Sequence, residues 1–248
     1  MVHEVLERFG NEEELRECSD AMKIQRALTS FLDDHVKSEF GSNARRTVAI
    51  QAVLARRRLE AFAVHQAERV SQGWRIIDVE HSVNREDLTV PLPGLDGAFF
   101  IHGRIDRVDR HEDGRIAVLD YKTSSSKPEA DHRRGRKNAK EWFNLQLPLY
   151  RHLASTIGTS FSTVETGYVL LPNVSSKAGF FMADWDEDEL ASADELAAQV
   201  ASDILAGRFW PPASKPPKFS EALAGICQDG ALNAQHMEPT SEASGAGS

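Results

Sequence analysis

The sequence predicts an α/β protein built on a central mixed sheet. Three observations carry this: helical spacing of apolar residues from Val2 to about Gln72, three β-rich stretches between residues 74 and 123, and an amphipathic helix over residues 186–207. In the first region Val5, Leu6 and Phe9 recur at helical spacing. The series continues through Ile24, Leu28, Phe31 and Leu32, then through Val48, Val53, Leu54, Leu59 and Phe62. No proline interrupts it, and Gly41-Ser42-Asn43 is the expected break between helices. At Gly73 the pattern changes, and residues 74–83, rich in β-branched and aromatic side chains, read as a strand. Pro91, Pro93, Gly94 and Gly97 mark a loop. Residues 98–110 and 115–123 read as two further strands joined through Asp113-Gly114, a strong hairpin signal. The three strands form a meander.

After a loop at residues 124–128, a helix is predicted over about 132–157, kinked by Pro148. Residues 164–171 and 178–183 read as strands. In the helix over 186–207, Leu190, Leu196, Val200, Ile204 and Leu205 form the apolar stripe, and Gly207 is the expected C-cap. Phe209-Trp210-Pro211-Pro212 and Pro216-Pro217 read as an extended segment packed on the surface. The organisation expected is one domain over residues 1–230, with residues 21–72 as a helical elaboration and 231–248 as a disordered polar tail.

Composition narrows the function classes. With 248 residues, 41% of them hydrophobic and 27% charged, the chain can bury a sizeable core and is not disordered as a whole. No window approaches the roughly 18 apolar residues of a membrane span. The start, MVHEVLERFG, has neither the basic nor the apolar region of a secretory signal. Two cysteines, Cys18 and Cys227, cannot build a disulfide framework or close a zinc or iron–sulfur site alone, so a reducing, cytoplasmic setting is expected. The net charge of −9 argues against coating nucleic acid by bulk charge. The distribution is uneven, however. Residues 41–59 carry Arg45, Arg46, Arg56, Arg57 and Arg58 with no acid, and residues 127–140 carry Lys127, Arg133, Arg134, Arg136, Lys137 and Lys140 against Glu129 and Asp131. Such patches suit a polyanion at one face, and solvated helix faces give the same pattern.

Two acids fall on the central hairpin: Asp106 in HGRIDRVDR and Asp120 in IAVLDYKTS. Strand alternation puts residues 116, 118, 120 and 122 on one face, so Asp120 and Lys122 project together. On the preceding strand His102, Arg104, Asp106 and Val108 share a face. If Asp106 pairs near Asp120, two carboxylates and an ammonium converge. Close carboxylates repel, a divalent cation neutralises them, and hard oxygens suit Mg²⁺ or Mn²⁺. Lys122 can then orient or deprotonate a water, or hold a phosphate oxygen. Ordinary surface ion pairs are the plain alternative. Against them stands an aspartate ending an apolar strand, where aspartate is disfavoured.

LDYKT, preceded by GRIDRVD and followed by NLQLPLY, resembles the PD-(D/E)XK nuclease superfamily, in particular its RecB/AddB-like exonuclease branch. His3 in MVHEVLERF is similar to that branch's first-motif histidine, and Gln146 and Tyr150 are similar to its Gln-x-x-x-Tyr motif. Glu80 in DVEHS resembles an acidic residue of the first strand and is read as structural support. The resemblance spans roughly residues 2–230 and rests on five pieces in order. It implies a restriction-endonuclease-like αβββαβ core. It also implies metal ligation by His3, Asp106, Asp120 and the Tyr121 carbonyl, with Lys122 positioning the attacking water. Gln146 and Tyr150 would contact DNA near the scissile phosphate, and Arg133, Arg134, Arg136, Lys137 and Lys140 would follow its backbone. The implied activity is a Mg²⁺- or Mn²⁺-dependent exonuclease acting on single-stranded DNA ends in recombinational repair, with a helicase subunit or domain as partner. Members that hold an iron–sulfur cluster use four cysteines. Here only Cys227 occupies a comparable place, so no cluster is expected. There is no G-x-x-x-x-G-K-[ST] for ATP. The alternatives are a non-catalytic DNA-binding or scaffolding domain of the same fold and a site-specific endonuclease.

Overall fold

Five strands, in the spatial order Trp74–Val83, Gly103–His111, Ile116–Lys122, Val164–Leu170 and Gly179–Met182, make the central sheet, antiparallel throughout except for the pair Ile116–Lys122 with Val164–Leu170. The structure, a computed structural model, describes residues 1–84, 88–90, 92–94, 99–136, 139–158 and 164–208. Four helices come first: α1 (Val2–Asn11), α2 (Glu13–Arg16), α3 (Ala21–Phe40) and α4 (Arg46–Ser71). The meander is β1 (Trp74–Val83), β4 (Gly103–His111) and β5 (Ile116–Lys122), with a short pair, β2 (Thr89–Val90) and β3 (Phe99–Phe100), between β1 and β4. Then come α5 (Pro128–His132), a hairpin of β6 (Arg133–Arg136) and β7 (Ala139–Trp142), α6 (Gln146–Leu153), β8 (Val164–Leu170), β9 (Gly179–Met182) and α7 (Glu187–Leu205). A mixed α/β protein with a restriction-endonuclease-like sheet is therefore what the sequence encodes. The chain divides into two units, Met1–Ala201 and Ser202–Ser248. In the second, the described residues are the end of α7 and a turn in which Arg208 pairs with Asp203. Phe209–Pro217, Cys227 and the polar tail lie outside the described residues.

The helical layer forms where the periodicity placed it. Asp20 caps α3 by accepting the Met22 and Lys23 amides at 2.8 and 3.1 Å, and Gly41, at φ 73°, ends it. One core cluster joins Val5, Leu6 and Phe9 of α1 to Ile24, Leu28 and Leu32 of α3. It continues through Leu59 and Phe62 of α4 to Ala117, Leu119 and Tyr121 of the sheet. Gly10 permits this layer's close approach: a Cβ at Gly10 would lie 2.3 Å from Val79 Cγ1 on β1. Between that layer and the sheet Asp109 of β4, fully buried, binds Arg107 at 2.6 Å and Arg69 of α4 at 2.5 Å, an ion cluster that alternation alone did not suggest.

Two expectations are corrected. Residues 132–157 are not one helix but the last residue of α5, the β6–β7 hairpin, α6 and a 3₁₀ turn at Ala154–Ile157. Cross-strand pairing decides the hairpin: Arg133 lies opposite Trp142 with its guanidinium 5.0 Å from the indole, and Gly135 adopts φ 119°. Pro148 sits in the first turn of α6, where its missing N–H costs nothing, so it makes no kink. In α7 the face buried is alanine (Ala193, Ala197, Ala198 and Ala201), while Val200 of the expected stripe is exposed. Small side chains there let α7 lie close to Val90, Leu92, Leu145 and Leu149. Asp194 locks the packing by pairing with Arg151 and with His152 Nε2 at 2.8 Å. Burial opposes ionisation of Asp194, but the His152 hydrogen bond and the Arg151 charge hold it below the usual carboxylate range.

Gly10→Ala should force α1 away from β1 and cost about 1–3 kcal/mol by overpacking. Urea unfolding should register the loss, and Gly10→Ala with Val79→Ala should recover most of it. Asp194→Asn should cost about 2 kcal/mol at neutral pH, the order of hydrogen bonds to a charged group. Because the folded-state pKa of Asp194 is depressed, its contribution is complete above the model-peptide value of 3.8 and is lost as pH falls through the folded value. Unfolding curves of wild type and variant should therefore converge in acid.

Candidate active site

Where β4 meets β5 the ladder is registered from Arg110↔Ile116 to Arg107↔Leu119. Next along, the Asp106 carboxylate accepts the Tyr121 amide at 2.9 Å, a side chain standing where a backbone rung would be. Strict alternation fails here as well: Ile105 and Val108, three apart, pack in the same cluster. On the neighbouring strand β1 carries a register irregularity between Ile76 and Asp78. Glu80, two positions further on, has φ 51° and is the only non-glycine with positive φ among the described residues. Such backbone is strained by about 1–3 kcal/mol and clusters at functional sites. It presents the Glu80 carboxylate to Asp106. His3, near the start of α1, completes the group: ligand atoms of His3, Glu80 and Asp106 all lie within 4.8 Å of one another. His3 Nδ1 is 3.6 Å from Asp106 Oδ2, and the His3 ring packs edge-on against Tyr121 at 5.8 Å.

Asp120 stands beside this group and outside that tight cluster. Its carboxylate is buried, with Lys122 Nζ 2.7 Å from Oδ2 and Gln146 Nε2 donating to Oδ1 at 2.8 Å. Lys122 Nζ donates to Gln146 Oε1 at 3.0 Å. A lysine can only donate and a carboxylate only accept, so the two contacts fix the Gln146 amide orientation. Gln146 Nε2 also reaches the Tyr150 hydroxyl at 2.9 Å, and that hydroxyl donates to the Arg104 carbonyl at 3.1 Å. Both residues of the Gln-x-x-x-Tyr pair thus lie in the site, their polar groups engaged with Asp120, Lys122 and β4. Burial pushes the Tyr150 phenol up to about 12, against the Gln146 hydrogen bond.

The electrostatics are those of crowded carboxylates. Burial, then the charge of Asp106, raises the pKa of Asp120, while Lys122 pulls it down. Burial and Asp106 likewise raise Glu80, against Arg104, whose Nε lies 2.7 Å from Oε2. Asp120 Oδ2 and Glu80 Oε2 are buried without an aligned hydrogen bond. Crowded carboxylates that repel one another, beside one imidazole, are a donor set suited to a hard divalent cation, although Asp120 Oδ2 and Glu80 Oε2 each face a cation in Lys122 and Arg104. Glu80, read from the sequence as support, thus has the position of a ligand. The sequence signal was an acid inside a β-rich run; the positive φ that aims it is not visible in the residue pattern.

The basic run divides. Arg134 and Arg136 alternate onto one exposed face of β6, Arg134 lying 5.7 Å from the half-exposed Phe143 ring. Arg133 pairs with Glu189 and Glu129, and Lys140 with Glu129. Lys137 lies outside the described residues. Among the described residues no helix is long and apolar enough to cross a membrane.

No curated protein matches the chain. The family model of the PD-(D/E)XK nuclease superfamily does, over residues 1–229. That span takes in His3, Glu80, Asp106, the tripeptide Asp120-Tyr121-Lys122 and Gln146, the residues that meet where the β4–β5 ladder ends. The chain belongs to the PD-(D/E)XK nuclease superfamily.

Proposed function

We propose that the chain is a divalent-metal-dependent DNA exonuclease acting on single-stranded ends in recombinational repair, working with a helicase subunit or domain in a reducing cytoplasm. The observation that carries the phosphodiesterase reading is the meeting of His3, Glu80 and Asp106 within 4.8 Å, beside a lysine that Gln146 holds in place. His3, Glu80, Asp106, Asp120 and the Tyr121 carbonyl would hold Mg²⁺ or Mn²⁺, which when bound supplies Lewis-acid polarisation of a phosphoryl oxygen and a more acidic water. Lys122, fixed between Asp120 and Gln146, orients the attacking water or donates to a non-bridging phosphate oxygen. We assign Gln146 and Tyr150 to holding Asp120 and Lys122 at the phosphate. Arg134 and Arg136 follow the strand's backbone, and we assign Arg133, Lys137 and Lys140 to the same track. The half-exposed Phe143 beside Arg134 offers a face to an unpaired base, which supports single-stranded substrate. We take residues 1–230 as the nuclease domain.

Two measurements test this. Titration calorimetry with Mn²⁺ should show Glu80→Gln and Asp106→Asn each weakening binding by at least about tenfold. A Glu80→Gln variant with wild-type affinity would return Glu80 to a supporting role. Degradation of end-labelled single-stranded DNA should require Mg²⁺ or Mn²⁺ and stop with chelator. Lys122→Ala should keep metal and DNA binding while losing roughly 10²–10⁴ in rate. Chelator-resistant degradation, or an unimpaired Lys122→Ala, would overturn the mechanism. DNA binding without cleavage in any metal would favour the non-catalytic scaffold.

A further inference from the structure

His132 lies outside the group of candidate ligands and is fully buried. It ends α5 and leads into β6. Its Nδ1 is 2.9 Å from the Pro128 carbonyl, which can only accept, and its Nε2 is 3.2 Å from the Leu147 amide, which can only donate. Those partners fix the tautomer: Nδ1 carries the proton and Nε2 accepts. The His132 carbonyl in turn accepts the Phe143 and Asn144 amides at 3.0 and 3.4 Å, closing the base of the β6–β7 hairpin. Asn144 Oδ1 accepts the Gln146 amide at 3.0 Å.

These contacts matter because the first amides of a helix have no helical acceptor. In α6 the amide of Gln146 is taken by Asn144 and that of Leu147 by His132. The side chain of Gln146, at the first position of α6, is the one that grips Lys122 and Asp120. The imidazole is held between the rings of Tyr168 and Trp185, whose centroids lie 5.7 and 5.2 Å away. Burial keeps it below its ordinary value of 6.5, assisted by the Lys122 charge and opposed by the Pro128 carbonyl, Asp131 and Glu129. The Nε2 lone pair is therefore free to accept at neutral pH.

We propose that His132 is a positioning residue of the active site: it fixes the start of α6, and through it Gln146 against Lys122 and Asp120, and ties that placement to the basic hairpin whose base it closes. The proposal rests on the phosphodiesterase reading above for its kinetic consequences, and on the geometry alone for its structural one.

The test uses the full chain with His132→Leu, which removes the acceptor, and His132→Gln, whose side-chain oxygen can reach the place of Nε2. In metal-free protein, amide exchange at Leu147 should quicken in His132→Leu, with β5 and α4 amides unchanged, and should return toward wild type in His132→Gln. With Mg²⁺ and end-labelled single-stranded DNA, His132→Leu should lose between about 10- and 100-fold in kcat, the scale of a small misplacement of reacting groups. In a Gln146→Ala background the same substitution should add little, since both act through one side chain. Unchanged Leu147 exchange, additive losses, or a folded His132→Gln as defective as His132→Leu would each overturn the proposal. A wild-type chain that cuts no DNA would sink the phosphodiesterase reading instead, and amide exchange would still decide for or against the His132 cap.

Discussion

A carboxylate taking the place of a backbone acceptor is the constraint on which this structure turns. Asp106 accepts the Tyr121 amide at 2.9 Å just beyond the last registered rung of β4 and β5. A side chain in that role cannot also turn into the core or out to solvent. It is held inside the sheet where the β4–β5 ladder ends, partly desolvated. Every other acidic group nearby then answers to its charge: Asp120 and Glu80 both have their ionisation opposed by burial and by Asp106. The cost of crowding acids at this partly buried place is met locally by Lys122 and Arg104.

Around the end of the β4–β5 ladder the fold supplies three independent supports. The helical layer brings His3 across the sheet, through a glycine contact too close for any side chain. The strained backbone at Glu80 turns a carboxylate inward from β1. On the opposite side α6 delivers Gln146, whose amide reads both the ammonium of Lys122 and the carboxylate of Asp120. Beneath them all, Asp109 binds two arginines, Arg107 on its own strand and Arg69 on α4, joining helix and sheet through charge as well as apolar packing.

Much of this was legible in the residue pattern, and the exceptions have physical reasons. The helices before residue 72 and the span of β1 follow directly from apolar periodicity. Asp120 and Lys122 sharing a strand face follows from alternation, and their contact agrees with it. Alternation does not account for Ile105 and Val108 packing in one cluster on either side of Asp106, because a ladder that ends and an irregular neighbouring strand break the two-residue period. It was silent about Glu80 for the same reason. The segment after residue 132 read as helix because its polar residues fit either period, and only pairing across β6 and β7 distinguishes them. The stripe on α7 was read from size, whereas close docking selected the smallest side chains.

The candidate site draws on positions 3, 80, 106, 120 and 146, which share no local stretch of chain. Contacts of such wide sequence separation form late, after the loops that close them. A chain emerging from the ribosome has its first histidine long before its glutamine, and no fragment ending short of residue 146 brings the set together. A hydrolytic centre spread in this way stays silent in partly made or partly unfolded protein. For a member of a nuclease superfamily, the topology itself confines the chemistry to chains that have finished folding.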